Sequence, residues 1–249
     1  MIELYTMDKE QNQRLKSYTV RSGRLRQSHK DLLKIKQQLP EVITYDSTLV
    51  LDAPSLFKEV DAIVVEIGFG MGDSLLTMAQ HYPNIGFIGI EVFPHGFASC
   101  LLKLRQMQLD NLKLIQADAV EVIEHMLKDH SIDQFHIYQP DPWPKKRHHK
   151  RRLLQTSFFQ LLMSKLKNLG RIHICTDHSG YADYIQSEID TLDDQWFDCQ
   201  RLEKRAGFRP KTKYEERGIR LGHEHHEFLL TSKSRLDSAF TSLIGLILI

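Results

Sequence analysis

At 249 residues the chain is long enough for one large domain or two small ones, and its 41% apolar content is that of a globular protein. A net charge of +1, from 33 Lys and Arg against 32 Asp and Glu, excludes a uniformly basic nucleic-acid coat; any polyanion contact must come from local clustering. The cysteines, Cys100, Cys175 and Cys199, are far apart and form no CxxC pair, which argues against a disulfide framework or a zinc knuckle and predicts a reducing, cytoplasmic setting.

Residues 1–38 are polar and mostly basic, with Arg14, Lys16, Arg21, Arg24, Arg26, Lys30, Lys34 and Lys36, and hold no apolar core of signal-peptide length. They predict a flexible basic arm followed by a short helix up to Pro40. At Ala62 the texture changes. "AIVVEIG" is a continuous β-branched run, as a strand buried on both faces requires. "DSLLTMAQ" predicts a helix capped by Asp73 or Ser74. "NIGFIGIEV" is a second strand and "PHGFASCLLKLRQMQL" a second helix, ended by Asp110-Asn111. "LKLIQAD" and "AVEVIEHMLKDH" are the third pair, and "IDQFHIYQ" and "LLQTSFFQLLMSKLKN" the fourth. "GRIHICTD" is a fifth strand, "YADYIQSEID" a helix, and "HHEFLLTSK" the last strand. This alternation predicts a doubly wound α/β sheet in a single domain over residues 39–233. Tyr82, Phe87, Phe97 and Cys175 fall in apolar patterns and are expected in the core. The apolar "SAFTSLIGLILI", within residues 234–249, is too short to span a bilayer; it predicts a buried terminal tail of unassigned role, with no membrane association.

"EIGFGMG" closes the first strand with Glu66, Gly68, Gly70 and Gly72. Alternate glycines let the turn take positive φ and let a ligand touch backbone. A dinucleotide site uses G-x-G-x-x-G to cradle pyrophosphate. Here the spacing is G-x-G-x-G behind an acid, which repels phosphate and suits a cation. Glu91 ends the second strand, where an acid grips ribose hydroxyls, and Asp118 ends the third, within reach of an adenine edge. Singly, each acid reads equally well as a helix cap. Together they describe a ligand with ribose, adenine and positive charge but no phosphate, and S-adenosylmethionine fits.

The fourth strand runs into "PDPWPKKRHHKRR", residues 140–152. Pro140, Pro142 and Pro144 fix φ and stiffen the loop, so Asp141 is held at the cofactor crevice. Lys145, Lys146, Arg147, Lys150, Arg151 and Arg152, with His148 and His149 among them, supply charge for phosphate oxygens. A solvated charged face is the plain alternative for that run. Beside a braced acid at a methyl-donor site, it points instead to a nucleic acid with one base inserted. "HEHH", from His223 to His226, invites a metal but matches no zinc spacing; no metal is expected.

Over residues 15–232 the sequence resembles the bacterial tRNA (guanine-N7-)-methyltransferases, through "EIGFGMG", "GIEV", "PDPWPKKRHHKRR", "CTD" and "FRPKTKYEERG". The proline-basic block is the specific part of that likeness. The resemblance implies a Rossmann-like class I methyltransferase fold, with a mostly parallel seven-stranded sheet and an antiparallel last strand. It implies methylation of a guanine in the tRNA variable loop. By matching motif, Glu66, Gly68, Gly70, Gly72, Glu91, Asp118 and Asp141 would line the donor site, with Asp141 catalytic. Lys145, Asp177, Thr212, Lys213, Tyr214 and Glu215 would contact substrate, and Arg147, His148, His149, Lys150, Arg151 and Arg152 would lie against RNA. Gln139 departs from the pattern, since an aromatic is usual before PDPWP. Three other readings remain: a small-molecule methyltransferase, opposed by the basic run; an RNA-binding protein with a vestigial site, opposed by the four intact acids; and a nicotinamide dehydrogenase, opposed by the glycine spacing.

Overall fold

The computed structural model describes residues 15–19, 25–192, 197–202, 205–207, 210–211 and 213–233. Thr212, the tail over 234–249 and most of the N-terminal arm lie outside them. The described residues begin with helix α1 (Gln27–Ile35), then alternate: β1 (Val42–Ile43), β2 (Ala62–Ile67), α2 (Asp73–His81), β3 (Ile85–Ile90), α3 (Pro94–Met107), β4 (Leu112–Ile115), α4 (Ala119–His125), β5 (Ile132–Tyr138), α5 (Thr156–Lys165), β6 (Leu166–Thr176), α6 (Ser179–Ile189), β7 (Phe197–Leu202), α7 (Lys213–Arg220) and β8 (His226–Ser232). The strands form one sheet in the order β1-β4-β3-β2-β5-β6-β8-β7. Only β8 opposes its neighbours, pairing antiparallel with both β6 and β7. Among the described residues the sheet therefore has eight strands rather than seven. The extra one is the two-residue β1, which pairs with β4 at the edge.

Two core layers explain why the central strands read as unbroken apolar runs. On one face Ile63, Val65, Ile88 and Ile90 pack with Ile123 of α4, Phe159 and Leu162 of α5 and Ile185 of α6. On the other, Val64, Phe87 and Leu114 pack with Leu75 of α2 and Phe97, Leu101 and Leu104 of α3. Alternate strand residues point to opposite faces, so a strand covered on both sides must be apolar throughout. Tyr82 departs from expectation: at 37% exposed it lies at the surface, whereas Phe87, Phe97 and Cys175 are buried.

Element boundaries moved where backbone geometry outranked pattern. The residue preceding α2 is Gly72, at φ +76, with Asp73 already in the first turn. α3 starts on Pro94, whose fixed φ suits a first helical position, and stops at Gln108 in the left-handed region. β6 takes Leu166–Thr176, absorbing residues expected at the end of the preceding helix.

Candidate active site

Parallel strands β2 to β6 end along one edge, and a crevice of about 540 Å3 opens there. Gly68 and Gly70 line it at φ +73 and +57, and a Cβ at either would project into open space. That gap is a cradle in which a ligand can lie against bare backbone. Gly72 has a different task. It does not line the crevice, and a Cβ there would meet Cys100 Sγ at 2.2 Å, so it lets the turn pack on α3. Gly96 of α3 does the same from the other side, since its Cβ would meet the Gly70 carbonyl oxygen at 2.5 Å.

The four acids are not equivalent. Glu91 and Asp118 line the crevice from the ends of β3 and β4. The Glu91 carboxylate accepts the N–H of Gly70 and the N–H of Phe93, each at 2.8 Å, so it also fixes the glycine turn. Burial pushes its carboxyl above the usual range; the Phe93 and Gly70 N–H groups pull it back, and the charge of Asp141 adds to the rise. Asp118 caps α4 by accepting from Val120 N–H at 3.0 Å, so its structural and ligand-facing roles coexist. Asp141 is exposed and lines the crevice from the loop after β5. Glu66 is buried at 2% and does not line the crevice. It pairs in register with His136, on the strand face away from Val65 and Ile67.

The proline loop is braced at three points. Trp143, at φ +45, donates its indole N–H to the Ser17 carbonyl at 2.9 Å. Arg151 stacks on that ring, 5.4 Å from its centroid, and reaches the Lys16 carbonyl at 3.4 Å. Arg152 does not lie outward as expected for an RNA contact. It is 4% exposed, donates from Nε to the Pro142 carbonyl at 2.9 Å, and stacks on Tyr184 and Tyr181 at 4.4 and 5.1 Å. Lys145, Lys146, Arg147 and Lys150 are exposed, while His148, His149 and Arg151 are half-buried. His148 sits among Arg147, Arg151 and Lys145; burial, and after it those three charges, lowers its pKa.

Asp177, after β6, lines the crevice; its Oδ2 lies 3.1 Å from Nδ1 of His223 and packs against Gly218, where a Cβ would come within 2.7 Å. Arg217, Gly218, Leu221 and His223 complete that wall with Ser17 and Tyr18; the sequence marked Arg217 and Gly218 only as the end of FRPKTKYEERG and His223 only as part of HEHH, and gave none of the six a role at the donor site. The available signal was Gly218 itself, a glycine in the middle of a charged helix. Lys145 does not line the crevice, and Glu215 is buried at 2% on α7. Lys213 and Tyr214 belong to the same helix. Among the described residues Cys175, His225 and Glu227 bring one donor atom each within 4.8 Å of one another, but His225 Nε2 and Glu227 Oε1 already hydrogen bond at 2.7 Å.

Residues 61–228 match the family described as "Putative methyltransferase". The tRNA (guanine-N(7)-)-methyltransferase of Methylobacillus flagellatus is 43% identical over 213 residues, 84% of this chain and 87% of that one. The protein of the same name from Nitrosospira multiformis is 38% identical over 223 residues, 88% and 95% of the two chains. Among solved structures, an rRNA methylase from Streptococcus thermophilus superposes with a TM-score of 0.51 at 13% identity, covering 72% of this chain and 90% of that one. A Streptococcus mutans protein in complex with SAH gives 0.50 at 13% identity, over 73% and 94%. At such identity these two structures speak for the fold alone.

Proposed function

The chain belongs to the tRNA (guanine-N(7)-)-methyltransferase family, and from that premise we propose that it methylates N7 of a guanine in the variable loop of tRNA, in the cytoplasm. S-adenosylmethionine, when bound, supplies a methyl already activated on a sulfonium. The residues present fit it: a glycine cradle open to backbone contact, with acids rather than cations around it. Glu91 would hold the ribose and Asp118 the adenine edge, and Gly68 and Gly70 would let the ligand close on the turn. Glu66 is buried outside the crevice wall, so its place at the donor site rests on the motif alone.

Guanine N7 carries a free lone pair at neutral pH, so no base is needed to expose it. The protein's work is alignment and charge. As positive charge spreads into the purine, its N1–H and N2–H become stronger donors. A carboxylate that accepts from them binds the transition state more tightly than the ground state. Asp141 holds that role, shared with Asp177 of the same crevice or with the buried Glu215 of α7. Lys145, Lys146, Arg147, Lys150 and Arg151 hold phosphates; Arg152 holds the loop. Thr212, Lys213 and Tyr214 remain assigned to substrate by motif.

One observation carries this reading: Asp141 shares a crevice with Glu91 and Asp118, and the exposed basic run begins within four residues of it. The test is to incubate the protein with labelled methyl donor and unmodified tRNA and to map the label. Label on N7 of a variable-loop guanine is expected. Label elsewhere, or none, would overturn the reading.

A further inference from the structure

On the face of the sheet that α2 and α3 cover at one end, the strands β5, β6 and β8 carry polar residues in rows. Tyr138, Cys175 and Glu227 are cross-strand partners, as are His136 and His173 in the row beside them. Such partners share a face. All five are buried, and His173 and Glu227 are fully so. Buried polar groups on this scale are costly unless they are hydrogen-bonded. Here they are joined: Tyr138 Oη lies 3.0 Å from His173 Nδ1, and His173 Nε2 lies 3.1 Å from Glu227 Oε2.

The Glu227 carboxylate ties together separate segments. Besides His173 of β6, it accepts the Ala206 N–H at 2.8 Å and bonds His225 Nε2 at 2.7 Å. His225 Nδ1 in turn faces Glu215 Oε1 of α7 at 3.8 Å, where Arg205 Nε lies at the same distance. An ionised carboxylate only accepts, so both histidines must present N–H to it. His173 then accepts at Nδ1 from the Tyr138 hydroxyl. With Glu227 as the acceptor, the chain of donors runs in one direction, from a tyrosine on the crevice wall to a buried carboxylate.

We propose that Glu227 is a positioning residue for guanine-N7 methylation, holding Ala206 directly and Glu215 of α7 through His225, so that α7 presents Arg217 and Gly218 to the crevice. This rests on the function proposed above. tRNA affinity is set mainly by phosphate contacts elsewhere. Misplacing the α7 wall should therefore appear in turnover, where small displacements are severe.

Glu227→Gln keeps the volume but sets an amide N–H against a histidine N–H, which breaks the one-way chain. We expect kcat, counted per donor-binding site from calorimetric stoichiometry, to fall by about 10- to 100-fold, with KM for tRNA within about threefold. Glu227→Asp, which keeps the charge, should recover part of kcat. A normal kcat per competent site, a rise in KM alone, or a fall explained wholly by fewer donor-binding sites would overturn the proposal. So would zinc in the purified wild type that Glu227→Gln removes, since Glu227 would then be a ligand. Failure of the wild type itself to methylate tRNA would sink the underlying reading, and this one with it; a methylating wild type with an unaffected Glu227→Gln sinks only this one.

Discussion

The backbone N–H of Asp177 donates to Gln139 Oε1 at 3.0 Å, joining the ends of the neighbouring strands β5 and β6 in the crevice wall. Gln139 also donates its own N–H to the Cys175 carbonyl at 2.8 Å while held at φ +50. An aromatic side chain, usual at this place in the resemblance, has no carbonyl to offer. Gln139→Ala removes the side-chain bridge. Losing a partly buried hydrogen bond costs about 1–2 kcal/mol. If that cost falls on the placement of Asp177, turnover should drop about tenfold with donor affinity unchanged, measured by single-turnover kinetics and calorimetry.

Asp141 is exposed, and Asp141→Ala should leave the melting temperature within a degree or two, since surface substitutions cost little. Methylation should fall by at least 100-fold, in the range of a missing electrostatic stabiliser. Asp141→Asn should be nearly as poor, because an amide cannot follow spreading positive charge. Near-normal turnover in both would move the role to Asp177 or Glu215.

From Ala62 to Ile189 the order of strands and helices, and the crevice at their ends, could be read from alternation alone, because strands covered on both faces leave an unbroken apolar signature in AIVVEIG and NIGFIGIEV; β7 and α7 beyond it were not legible that way. The two-residue β1 left no such trace. The candidate site was half visible. Glu91, Asp118 and Asp141 announce themselves at strand ends, because connectivity brings strand ends together. The inward turn of Arg152, and which residues of α7 face the crevice, could not be read, because side-chain direction after an irregular turn has no period. A run of six cations looks uniform in sequence, yet one of them turns inward onto Tyr181 and Tyr184.

That inward turn separates Arg152 from its neighbours. Neutralising Lys146, Arg147 and Lys150 should weaken tRNA binding and lower the salt dependence by about 0.7–0.9 in log–log slope for each phosphate left without its cation. Donor affinity should hold. Arg152→Ala should instead lower the melting temperature and loosen the Pro142 loop, with a change in slope no larger than that of one cation. Filter binding across a salt series, run beside thermal melts, distinguishes the two. Equal slope changes for Arg152 and Lys150, with unaltered melting, would place Arg152 against RNA after all.

His29 gives α1 a pH dependence. Its ring is 6% exposed and meets the edge of His95 on α3, with centroids 5.3 Å apart. Burial, followed by His95 and Arg26, holds its pKa below the ordinary 6.5. With α1 undocked, His29 returns to ordinary water and binds a proton more readily. Between the lowered value and about 6.5 the undocked form therefore carries more protons, so docking weakens as the medium acidifies. Packing of α1 on α3 should be complete above about pH 7 and decline as pH falls through 6.5. Hydrogen exchange of the 27–35 amides, corrected for intrinsic pH effects, should show lower protection at pH 5.5 than at pH 7.5. His29→Leu cannot take a proton and should flatten that dependence. A variant that still loses protection on acidification would assign the effect to another group, and Leu32 and Leu33, packed on the core, would carry the docking that His29 does not.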